Sequence, residues 1–99
     1  MHGLIVKITA TPGKRDDLIA ILTGDASPIP GCVNYIVAQD PAEADAIWLT
    51  EVWQCKADHE ASLALPSVRA AIARGRPMIA NFQIVATTVP VGGYGLPTS

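Results

Sequence analysis

Three side chains close together in the chain have the types and spacing to do chemistry. Glu51 and Trp53 are separated by one residue, and His59 follows six positions later. Residues two apart in a strand share a face, which would set Glu51 between Leu49 and Trp53 on an otherwise apolar surface. A carboxylate in such a place is either paired or held with a raised pKa; both conditions recur at active sites, and structural ion pairs produce them too. An arginine or His59 is the expected partner. His59 is the side chain best suited to exchanging a proton near neutral pH, because the other histidine, His2, stands at the start of the chain. On a helix His59 would lie on the side of Ser62 and Leu63. Facing the sheet it is a candidate base; facing solvent it is an ordinary first-turn histidine. Trp53 is either the wall of a pocket or a core or interface ring, since large aromatics dominate both settings. Asn34 and Tyr35 are adjacent and so point to opposite faces of their strand, and only one of them can line a given cavity. Arg69, Arg74 and Arg76 could hold an anion, although simple solvation of their helix is expected for at least two of them.

These side chains need elements to position them. His2 to Ala10 alternates, with Leu4, Val6 and Ile8 on one face and Ile5, Lys7 and Thr9 on the other, as a strand does. Thr11 as N-cap and Pro12 at the first helical position predict an amphipathic helix from Pro12 to about Thr23, ended by Gly24, Pro28 and Pro30. Gly31 to Gln39 and Ala46 to Gln54 read as two strands of an antiparallel hairpin around the polar connection Asp40 to Asp45. Lys56 to Leu65 is a short helix. Pro66 opens a second helix with Val68, Ala71 and Ile72 as its apolar stripe, closed by Gly75 and Pro77. Asn81 to Val89 is the last strand, and Pro90 to Ser99 is a glycine-rich tail. The order βαββαβ is the ferredoxin-like split βαβ arrangement, an α+β fold in which a four-stranded antiparallel sheet carries helices on one face. Residues 1–89 form the single domain and residues 90–99 the tail.

Composition narrows the partners. The chain has 99 residues, 49% hydrophobic and 16% charged, against roughly 25% charged in an average domain. One core is possible, because a chain of this size can bury roughly two-thirds of its extended surface. A surplus of apolar side chains then remains to face a partner or ligand. The strands hold that surplus on the sheet face that the helices cannot cover, where Trp48 and Val52 sit. A second copy related by a two-fold axis is the expected cover, giving a homodimer through the open sheet face. The tail, with no charge and Tyr94 as an anchor, is expected to pack on the partner subunit. Net charge is −2, without the basic stripe that a phosphate backbone requires, so nucleic acid is not expected. No run is long and apolar enough for a membrane span, and the N-terminal run carries Lys7 and no basic leader, so the cytoplasm is expected. Cys32 and Cys55 read as free thiols. No metal is expected, because His2, His59, Cys32 and Cys55 share no ligand spacing, and no glycine-rich loop opens a helix as a dinucleotide site would.

Several runs together carry a family resemblance: Pro12-Gly13-Lys14, Pro30-Gly31-Cys32 with Tyr35, Thr50-Glu51-Val52-Trp53, His59 to Leu63 with Pro66 and Val68, Arg76-Pro77, and Pro90 to Leu96. Over nearly the whole chain the sequence resembles the antibiotic biosynthesis monooxygenase family, in particular its quinol monooxygenase-like branch. The resemblance implies a dimeric α+β barrel and oxidation of a small quinol or phenol by molecular oxygen with no cofactor. For such chemistry the candidates are Trp53 as the pocket wall, His59 or Glu51 as the catalytic group that handles the proton, and Asn34 or Tyr35, with Ser62 and Leu49, as the residues that bind the substrate. The alternative is a non-catalytic dimeric module that binds a small aromatic metabolite. Haem-degrading relatives carry an asparagine on the first strand that this chain lacks, and Ser62 stands near their histidine, which disfavours haem degradation. Phenol-oxidising relatives place an asparagine near the tryptophan of the third strand, where this chain has Leu49 and Glu51.

Overall fold

The computed structural model describes residues 1–24 and 29–96. Strand β1 spans His2–Ala10, helix α1 Arg15–Thr23, β2 Cys32–Gln39, β3 Ala46–Trp53, α2 Lys56–Ser62 and α3 Pro66–Gly75. A 3-10 turn at Arg76–Met78 leads into β4, Ile79–Thr88. The strands form one antiparallel sheet in the order β2-β3-β1-β4, the ferredoxin-like arrangement. Its core lies on the helical side. Leu4, Val6 and Ile8 of β1 pack with Ile47 and Leu49 of β3 and with Leu18 of α1. Alternation along β1 is what delivers these residues to one face.

Helix α1 starts at Arg15 rather than at Pro12. Gly13 has φ +77°, which a helix does not accommodate, and its N–H is taken by Asp45 Oδ1 at 3.2 Å. Thr11 to Lys14 therefore forms a turn, closed by Lys14 N–H on the Thr11 carbonyl at 3.0 Å. Helix α2 stops at Ser62, and the chain turns through Leu65 before Pro66 occupies the first turn of α3. In α3 the inward face is Val68, Ala71 and Gly75; an added Cβ on Gly75 would stand 3.2 Å from Leu18 Cδ1. Ile72, expected in the apolar stripe, instead faces outward, 41% exposed. Pro28, one of the expected terminators of α1, lies outside the described residues.

Residues directly opposite across an antiparallel pair share a face. The pairs Leu4 with Glu51, Ile5 with Thr50 and Lys7 with Trp48 put Ile5, Lys7, Trp48, Thr50 and Val52 on the open face. Asn34, Ile36 and Ala38 join them from β2. This face is mixed rather than uniformly apolar. At its hairpin end Asp40 accepts the Trp48 indole N–H at 2.8 Å and the backbone N–H groups of Ala42 and Glu43 at 2.8 and 2.9 Å. Lys7 lies 5.6 Å from the Trp48 ring and pairs with Glu43 at 3.0 Å. Edge strand β4 is the least covered element, with Phe82 and Ile84 each 55% exposed.

Candidate active site

Strand β3 carries Glu51 and Trp53 to the helical side because both alternate with Val52. The Trp53 indole Nε1 donates to Glu51 Oε1 at 3.0 Å. Glu51 thus has a partner, and the partner is the neighbouring indole, not an arginine or His59. Trp53 is itself only 3% exposed. After Trp53 the chain leaves the sheet through Cys55, an extended residue at the N-cap of α2, and the second turn of that helix brings His59 back over the indole. The ring centroids of His59 and Trp53 are 5.2 Å apart and tilted by 51°.

Three side chains from other strands complete the cluster. His2 stands opposite Trp53 in the β1–β3 register and stacks on His59, with centroids 6.1 Å apart and an interplanar angle of 30°. Tyr35 stands opposite Glu51, and Cys32 opposite Trp53. A bulge between Cys32 and Asn34 lets both Cys32 and Tyr35 face the helices although three positions separate them. Burial first, then the Glu51 charge, push the Tyr35 phenol up to about 12, so it stays a hydrogen-bond donor at physiological pH. Burial and then Glu51 also push the Cys32 thiol up, which leaves it a neutral thiol and not a nucleophile.

The remaining predicted site residues lie elsewhere. Asn34 is opposite Val52 and belongs to the open face, where a Cβ on Gly95 of the tail would be 4.0 Å from Asn34 Nδ2. Leu49 is a core residue, 5% exposed, between Val6 and Val37. Ser62 is buried, and its hydroxyl donates to the His59 carbonyl at 2.6 Å. With Pro30, Asp58, Ala61 and Leu65 it lines a cleft of about 130 Å³. The residue missed in the sequence is His2. Its signal was strand parity: an antiparallel β1–β3 pair sets the first residue of one strand against the last of the other.

The geometry therefore offers a hydrogen-bonded carboxylate, an indole, two imidazoles and a protonated phenol on one side of a sheet. That set can exchange protons with, and pack against, a flat polar ring. The sequence pattern of antibiotic biosynthesis monooxygenases matches residues 1–74. This chain belongs to the antibiotic biosynthesis monooxygenase family. A candidate antibiotic biosynthesis monooxygenase from Chloroflexus aurantiacus is 57% identical, with TM-score 0.87 over 97% of this chain and 98% of that one. A Deinococcus radiodurans protein of the same description shares the fold at 20% identity, with TM-score 0.78 over 99% of this chain and 100% of its own. No curated protein matches the sequence. Membership carries a monooxygenase-like function, and no helix among the described residues is long and apolar enough to cross a membrane.

Proposed function

We propose that this family member is a cofactor-independent monooxygenase that oxidises a small quinol or phenol with molecular oxygen on the helical side of the sheet. The observation that carries the reading is the triad of Glu51, Trp53 and His59, in which the indole occupies one carboxylate oxygen and backs the imidazole. A phenol and dioxygen give a quinone and water: one oxygen atom enters the ring and the other leaves reduced. The substrate supplies all four electrons, so the protein has only to take the phenolic proton, hold the ring and keep water out. Glu51, through its second oxygen, or His59 accepts that proton. Tyr35, kept protonated, donates to the phenolate or to dioxygen, and Trp53 forms the apolar backing. Asn34 stands on the open face, across the sheet from this cluster.

The alternative, a non-catalytic module that binds a small aromatic metabolite, needs the same pocket, and the burial of Trp53 weighs on both readings alike. Trp53 is nearly fully covered, and neither cleft on the helical side counts it among its lining residues. Oxygen uptake separates the two. Purified, chelator-treated protein given a panel of quinols and phenols should consume oxygen faster than the buffer alone, and His59→Ala and Trp53→Phe should each slow it; uptake at the spontaneous rate across the panel would leave the binding module. We further assign it a homodimeric state through the open sheet face, with the tail on the partner, because members of this family are commonly dimeric and Ile36 on that face is 52% exposed. The cytoplasm is the compartment that suits two free thiols, Cys32 and Cys55.

A further inference from the structure

Helix α3 presents Arg69, Ile72 and Ala73 at i, i+3 and i+4, one stripe of a helix surface, and Arg76 follows at the start of the 3-10 turn. With Leu63, from the turn after α2, they enclose a cleft of about 300 Å³, at the lower bound of ordinary small-molecule sites. It shares no residue with the cluster around Trp53. Leu63 is 48% and Ile72 41% exposed, so the cleft has an apolar floor open to solvent. Among the described residues its charge is also unmatched. All nine carboxylate side chains lie between Asp16 and Glu60, and beyond them come three arginines with no Asp or Glu. Among the described residues the side chains of Arg69, Arg74 and Arg76 enter no ion pair, and the only arginine donating a side-chain hydrogen bond is Arg15. Two of the three converge on one concave, partly apolar surface, in a chain whose overall charge is negative.

We propose that this cleft binds a small organic carboxylate, its apolar body on Leu63, Ile72 and Ala73 and its charged head held by Arg69 and Arg76. A guanidinium matches a carboxylate with two parallel N–H donors, and two of them flanking an apolar floor suit an anion with a hydrophobic body. A bare inorganic anion would leave the floor unused, and a neutral ring would leave both arginines unused. Arg74 does not line the cleft and is the internal control.

Calorimetric titration of the full chain with benzoate tests this, with inorganic phosphate and benzyl alcohol as comparators. Benzoate should bind saturably at one site per chain and more tightly than either comparator, and affinity should fall as salt is raised. The double variant Arg69→Gln/Arg76→Gln should lose about tenfold or more in affinity, while Arg74→Gln and Trp53→Phe keep it. All four positions except Trp53 are exposed, so folding is preserved in the arginine variants. No saturable benzoate binding, equal binding by the double variant, or phosphate binding as tight as benzoate would overturn the proposal. So would loss of binding in Trp53→Phe, which would locate the ligand at the other site. Because binding is read and not turnover, the result is independent of whether quinols are oxidised.

Discussion

At Glu51 one carboxylate oxygen is committed to the Trp53 indole and the other is available. A glutamine in its place keeps an acceptor for the indole N–H and removes only the ability to take a proton. Glu51→Gln should therefore melt close to the parent protein while kcat for quinol oxidation falls by about 10²-fold or more, the ordinary contribution of a positioned general base. Stopped oxygen consumption with an unchanged melting curve is the expected pair of readouts. An unchanged kcat would make Glu51 a positioning residue for Trp53 and leave the proton to His59. The shared face of Leu49, Glu51 and Trp53 was legible from a period of two. The partner of Glu51 was not, because an indole two residues away on the same face competes with arginines whose positions depend on how α3 docks. His2 was passed over for a related reason: its place beside His59 is set by the β1–β3 register and by the return of α2, and neither is local.

Two turns anchor the elements that carry the site. Gly31, at φ +80°, precedes β2, and a Cβ there would run into the Asp58 side chain of α2. Gly13, at φ +77°, has nothing within 4 Å of such a Cβ. Gly13→Ala should then cost only the conformational term of about 1–2 kcal/mol, and Gly31→Ala measurably more in the same urea titration, because α2 must shift as well. The β2–β3 hairpin is a further turn. The Trp48 indole first, and then the N–H groups of Glu43 and Ala42, hold Asp40 down at about 2. A depressed carboxylate contributes its stability above its unfolded pKa of about 3.9 and loses it as pH falls through the folded value. Wild-type stability should therefore decline between about pH 4 and pH 2, and in Asp40→Asn that part of the decline should vanish, as thermal melts across the range will show. The hairpin and both outer strands were legible from turn residues and alternation. The start of α1 was not, because Thr11-Pro12 has the composition of a helix start while Asp45, distant in sequence, captures the Gly13 N–H and holds a turn.

For the whole molecule the open question is what covers the second face of the sheet. Ile36 on that face is 52% exposed, and Val89, Val91 and Tyr94 of the strand end and tail are almost fully so. A second copy would cover them without any change in the subunit. Sedimentation velocity should report a dimer for the parent chain, a shift toward monomer for Ile36→Lys, and weaker association after deletion of residues 90–99; a monomer at all concentrations would remove the proposed partner. These residues are exposed within one subunit, so the variants should fold.

The sequence by itself determined the number, type and order of the elements, the β1 and β3 residues of the core and the alternation of faces along those two strands. These follow from hydrophobic periods of two and 3.6 and from glycine and proline, all of them local. Only the tertiary structure decided that the Glu51 partner is an indole, that His2 joins His59, that Tyr35 and not Asn34 takes the helical face, and that Arg69 and Arg76 share one cleft with Leu63. Each of those is a contact made by strand register or helix docking between distant segments, and local periodicity carries no record of which neighbours such docking selects.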